Sequence, residues 1–165
     1  MTKHVRKTVL LCCEGKADQA FIAYLRATHT AGRPGVPHVK PKPAGGKGSN
    51  NVIDTLLGEA KCSQPDKLVA LLDGDVPPST AKRREAERKN VESIVLMPCL
   101  EGLLLNILGQ TVPSNSQECK DRLKQIDSRE PFEPGFYAKN FPKSLLDQTR
   151  SRVAELDALL ILFGA

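Results

Sequence analysis

The chain alternates short, nearly continuous apolar runs with longer stretches in which apolar residues return every three or four positions. Thr8–Cys13, Lys67–Leu72 and Val91–Leu96 are rich in Val, Leu, Ile and Cys, the pattern of strands buried in a parallel sheet. After the first run, residues 16–28 set Ala17, Phe21 and Leu25 at a four-residue step with Tyr24 alongside, one stripe of a helix. Further helices are predicted over 52–60, capped by Asn50 or Asn51, over 81–89 behind the Pro77-Pro78-Ser79-Thr80 break, over 99–108 and over 115–126. Residues 36–43 hold a short strand in this reading, and Pro37, Pro41 and Pro43 push it to a sheet edge or an extended loop. Residues 131–142 read as a Pro/aromatic loop, and 143–163 as one last amphipathic helix. Four strands with intervening helices predict an α/β fold with a mostly parallel four-stranded sheet flanked by helices. Residues 1–165 form a single domain in this reading, with a helical extension over about 110–165.

Composition narrows the class. A net charge of +5 permits a polyanionic partner, though solubility alone accounts for it equally well. The five cysteines include the adjacent pair Cys12-Cys13, whose side chains leave a strand on opposite faces, and no CxxC occurs. Zinc and a disulfide framework are therefore poor readings, and reduced thiols in a cytoplasmic protein are expected. The basic first residues lead into only six apolar or small ones before Glu14, too few for a secretory signal. The runs around Leu103-Leu104-Leu105 and over Leu159–Phe163 are too short to span a bilayer, so no membrane partner is expected. The second run is expected to pack on the core or on a second subunit, which makes a homodimer the corresponding expectation.

Chemistry concentrates in the acids. Glu14-Gly15 follows the first strand, and Asp73-Gly74-Asp75 follows the Lys67–Leu72 strand. Both fall at the carboxyl edge of the sheet, where open α/β folds place their ligands. Alternate spacing sends Asp73 and Asp75 the same way from an extended backbone. Glu101 is the only charge in the apolar 99–108 helix and also follows a strand. Carboxylates gathered at one edge repel unless a cation neutralises them, and oxygen-only ligands favour Mg²⁺ or Mn²⁺. Each also has a plain structural reading: Glu14 at a helix start, the two aspartates in a turn, Glu101 on a half-exposed face. The Lys82-Arg83-Arg84 and Arg88-Lys89 cations interleave with Glu85 and Glu87, as a solvated, ion-paired face does. Gly45-Gly46-Lys47-Gly48-Ser49 lacks the spacing of a phosphate loop, so ATP binding is not expected. His4, His29 and His38 have no metal-ligand spacing. With five Phe, two Tyr and no Trp, little is left for base stacking. The one local aromatic group, Phe132, Phe136, Tyr137 and Phe141, is as well suited to closing a core.

Glu14-Gly15-Lys16-Ala17-Asp18 followed by Asp73-Gly74-Asp75 resembles the Glu and DxD signature of the Toprim domain, found in topoisomerases, bacterial primases and OLD-family nucleases. Met97-Pro98-Cys99-Leu100-Glu101-Gly102-Leu103-Leu104 resembles a segment of RloB-like proteins, a Toprim branch associated with phage defence, and Tyr137-Ala138-Lys139 is similar to their late Tyr-x-Lys element. The likeness spans about residues 8–140. It departs at Ala17-Asp18, where RloB-like chains commonly have Thr-Glu, near Leu103, where they have an aromatic, and over 32–51. The resemblance implies a Toprim-like, Rossmann-like sheet with a Mg²⁺ (or Mn²⁺) site at Glu14, Asp73 and Asp75, Glu101 holding a second ion, and Lys16 and Lys139 stabilising charge on a phosphate. The activity it implies is that of a bacterial, metal-dependent endonuclease acting on RNA, including tRNA, or DNA. The rival expectation is a non-catalytic Toprim module that binds metal and nucleic acid or a partner subunit such as an ATPase. Nucleotidyl transfer, as in primases, would need further domains.

Overall fold

A computed structural model describes residues 5–165; His4 lies outside them. Four strands, β1 (Thr8–Cys13), β2 (His38–Pro43), β3 (Lys67–Asp73) and β4 (Val91–Leu96), form one all-parallel sheet in the order β2-β1-β3-β4. The helices are α1 (Lys16–Thr30), α2 (Gly48–Ser63), α3 (Thr80–Arg88), α4 (Leu100–Ile107), α5 (Ser116–Ile126), α6 (Phe136–Asn140), α7 (Lys143–Thr149) and α8 (Ala154–Leu162).

Strand alternation divides the core. Val9, Leu11 and Cys13, with Val69 and Leu71, face a large cluster to which α1 and all the helices from α4 onward contribute. Leu10, Cys12, Ala70 and Leu72 face a smaller one, closed by Val52, Ile53 and Leu56 of α2 and Ala86 of α3. Cys12 and Cys13 thus lie on opposite faces, and all five thiols are free. The proline-bearing strand takes the β2 edge, where Pro41 and Pro43 stand opposite Leu11 and Cys13. The segment after residue 110 is no loose appendage: Cys119, Leu123, Phe136, Phe141, Leu146 and Leu156 belong to the same cluster as β1.

Three local expectations are corrected. Helix α2 begins at Gly48, so Asn50 and Asn51 lie inside its first turn instead of capping it. Their side chains bond outward: Asn51 Nδ2 donates to the Ala44 carbonyl at 2.7 Å, and Asn50 Oδ1 accepts from the Ser79 N–H at 2.9 Å. The 131–142 loop contains the short α6. The expected single helix over 143–163 is broken at 150–153. Its two halves serve different neighbours, α7 packing on α4 and α8 on β4, which one straight helix would not reach together. Leu159, Leu160, Leu162 and Phe163 are buried within the chain, so this apolar end is used by its own core.

Elsewhere the expected elements are present. Ser79 caps α3, its Oγ accepting from the Lys82 N–H at 3.2 Å. Lys82 pairs with Asp54 and Glu85, the ion-laced surface that its sequence suggested. His29 is a buried core histidine, its Nε2 2.9 Å from Asp147 Oδ1. Among the described residues no helix is long and apolar enough to cross a membrane.

Candidate functional site

The carboxyl ends of β1 and β3 are adjacent, and the chain turns sharply at both. Past β1, Glu14 and Gly15 lead directly into α1, and the Gly15 N–H donates to Asp18 Oδ2 at 3.2 Å. The Glu14 carbonyl accepts from the Gly46 N–H at 2.9 Å, so the glycine loop after β2 braces this turn. Past β3, the Gly74 N–H donates to the Leu96 carbonyl at 2.8 Å and the Asp75 N–H to the Pro98 carbonyl at 3.0 Å. The turn bearing the aspartates is thereby fastened to the end of β4 and to the segment leading into α4. Space is so tight there that a Cβ on Gly102 would fall 2.6 Å from the Met97 carbonyl oxygen and 2.6 Å from Pro98 Cδ.

These turns open onto a cleft of about 570 Å³. Glu14, Lys16, Asp73, Asp75 and Glu101 all line it. Lys139 does not: it is exposed on α6, while its neighbour Tyr137 is buried, with its hydroxyl donating to the Ala17 carbonyl at 3.4 Å. In the Tyr-x-Lys element, then, the tyrosine supports the β1–α1 junction and the lysine points elsewhere.

Charge crowding dominates the cleft floor. Burial, together with the negative charges of Asp18 and Glu14, pushes Asp73 up to about 8. Glu14 is raised as well, mainly by burial, and a hydrogen bond with the Asp73 carboxyl offsets part of that rise. Crowding thus disfavours the charged form of both carboxyls. Glu14 Oε1 is nevertheless buried with no hydrogen-bond partner, an orphaned acceptor facing this crowded ground. Asp18, which the motif contains but to which no role was assigned, is a buried carboxyl beside these two half-buried ones. Burial, opposed by the Gly15 N–H and reinforced by Glu101 and Glu14, pushes it up to about 6. Cys99 also lines the cleft, but burial pushes its thiol up to about 12, so it stays neutral and adds no thiolate.

This donor set is one of carboxylate oxygens, suited to a hard divalent cation. The orphaned Glu14 Oε1 and the raised Asp73 are what an acidic floor shows when nothing neutralises it. Among the described residues, however, no three His, Cys, Asp or Glu side chains are arranged to hold one ion as they stand. At the rim, Asp75 Oδ2 accepts from Ser116 Oγ of α5 at 2.5 Å. Glu14 and Asp73 are an interacting pair on the floor, and Asp75 and Glu101 line the same cleft.

The opposite wall comes from α5 and the loop after it, where sequence reading placed no function. Asn115 caps α5, its Oδ1 accepting from the Gln117 and Glu118 N–H groups. Ser116, Lys120 and Lys124 recur every four residues and all line the cleft. That spacing was the available signal, hidden because the basic residues of 82–89 looked denser. Lys124 is paired with Glu130 at 3.0 Å, and Arg129 with Asp127 at 2.6 Å. Lys16 and Lys120 make no ion pair among the described residues.

No family model, no curated protein and no solved structure matches this chain.

Proposed function

We propose that the protein is a Mg²⁺- or Mn²⁺-dependent nuclease of Toprim-like organisation, hydrolysing phosphodiester bonds in RNA, including tRNA, or in DNA. The observation that carries this reading is the Glu14–Asp73 carboxyl pair at adjacent parallel strand ends, with an orphaned buried oxygen and two unpaired lysines facing the same cleft. Glu14, Asp73 and Asp75 are the residues that would hold the cation, with Glu101 available to a second. When bound, such an ion polarises a phosphate oxygen and acidifies water. Lys16 and Lys120 supply positive charge where a phosphate would gain negative charge on attack. The resemblance of the Glu and DxD motifs, and of the Pro-Cys-x-Glu segment, extends the proposal to a bacterial RloB-like or OLD-like defence nuclease.

A second reading is a non-catalytic module that binds metal and nucleic acid, or a partner such as an ATPase, through the same cleft acids and lysines.

Incubating the protein with Mg²⁺ or Mn²⁺ and a mixture of tRNA, single-stranded RNA and DNA, beside the Asp73→Ala/Asp75→Ala double variant, separates the two. Cleavage by the parent alone supports the nuclease. No cleavage, with both proteins equally folded, supports the binding module.

A further inference from the structure

Four aromatics are gathered in the 131–142 region, and the structure treats one of them differently. Phe136, Tyr137 and Phe141 are buried and pack on one another, with ring centroids 5.0 to 6.0 Å apart. Phe132 is 49% exposed and lines the cleft. Its ring can therefore be reached from the cleft, beside the charged side chains that share the lining. Lys16 Nζ stands 5.9 Å from the centroid of the Phe132 ring, within cation–π range, so the ammonium covers one face and a planar group would stack on the other. The Glu14–Asp73 floor begins two residues from Lys16 along the chain, and Lys120 looks in from α5. Acid floor, unpaired cations and an exposed aromatic ring therefore meet in a single cleft.

From this juxtaposition we infer that the cleft takes an unpaired nucleotide, its base stacked on Phe132 and its phosphate held between Lys16 and Lys120 before the carboxylates. The inference rests on the nuclease reading and narrows its substrate class to single-stranded or locally unpaired nucleic acid. A continuous duplex presents no free base face to a side chain, whereas a single strand or an extruded nucleotide does. Stacking on a phenyl ring is indifferent to base identity, so selection is by strandedness more than by sequence. The cleft volume lies in the range of sites that enclose one small ligand, consistent with one nucleotide rather than a helix.

The chain contains no tryptophan, so Phe132→Trp introduces a single fluorophore at the ring in question. The variant is titrated with oligo(U), oligo(dT) and a blunt-ended, fully paired DNA duplex in Ca²⁺, and binding of the same labelled strands is followed by anisotropy. Quenching by either single strand and none by the duplex is the expected result; the stronger of the two strands then identifies RNA or DNA. Phe132→Ala is expected to weaken single-strand binding at least about fivefold with the salt dependence unchanged, and Phe132→Tyr to retain it. Lys120→Ala is expected to lower the slope of log affinity against log salt by about one. Strand binding seen by anisotropy with unchanged Phe132→Trp fluorescence overturns the inference, as does equal quenching by the paired duplex or the absence of any binding. Quenching by single strands without cleavage in Mg²⁺ leaves the stacking site standing and retires the nuclease, so the two failures are distinct.

Discussion

The backbone N–H of Asp75 donates to the carbonyl of Pro98 at 3.0 Å, which joins the turn after β3 to the start of the helix that carries Glu101. The acids of two separate sequence motifs are thus held by one backbone contact, and the cleft depends on how closely these segments approach.

Gly102 tests that closeness. Its missing Cβ would strike the Met97 carbonyl and the Pro98 ring, and neither can move without shifting the Asp75 contact. Gly102→Ala is expected to cost about 1–3 kcal/mol in urea unfolding. Gly74→Ala is expected to cost less, because its hardest clash is with the sulfur of Met97, a flexible side chain that is 60% exposed. Equal midpoints for Gly102→Ala and the parent would refute the tight approach.

The acid floor makes a pH prediction. The folded Asp73 carboxyl, at about 8, holds its proton more tightly than the same group in the unfolded chain, which titrates near about 4. The stability contribution is therefore complete below about pH 4 and is lost as pH rises through about 8; Asp18 adds a loss that ends near about 6. In EDTA the protein should be less stable at pH 8.5 than at pH 5, by on the order of 2 kcal/mol after allowance for solvent screening. Asp73→Asn should flatten that dependence and stabilise the protein at pH 8.5. A parent that gains stability between pH 5 and 8.5 would contradict the crowding.

At the C-terminus, neighbouring residues should behave oppositely. Leu160 is fully buried and Ile161 is 56% exposed. Leu160→Ala is expected to cost about 2–5 kcal/mol, and Ile161→Ala no more than about 0.5 kcal/mol. A large loss at Ile161 that depended on protein concentration would point to a subunit contact there.

The two candidate lysines outside the acid motifs should also separate. Lys120 lines the cleft and Lys139 does not. Under the nuclease reading, Lys120→Ala should lower kcat/KM by on the order of tenfold or more, and Lys139→Ala by much less. The reverse order would show that α6 is rearranged in the complex.

The sheet was legible because its strands are short apolar runs bounded by breakers, and because prolines left β2 only an edge. The cleft acids were legible because each follows a strand, and topology places parallel strand ends side by side. Asp18 was hidden by its ordinary position three residues past a glycine, since its burial is set by tertiary packing and Glu101 and Tyr137, which feel its charge, lie far along the chain. Lys120 and Phe132 were hidden for a related reason. Their helix and loop are too polar to signal which face meets the sheet edge, and only packing of Cys119 and Leu123 fixes it. Lys139 lies off the cleft because it is exposed on the short α6, two residues from a buried tyrosine.

The central claim is that Glu14, Asp73 and Asp75 form a divalent-cation site. Isothermal titration of the nucleotide-free protein with Mn²⁺ at pH 7.5, alongside Asp73→Asn of matched fold, tests it most directly. Saturable binding of at least one ion by the parent, lost or weakened at least about tenfold in Asp73→Asn, is the predicted result. Equal Mn²⁺ binding by both proteins, or none by the parent, would contradict it.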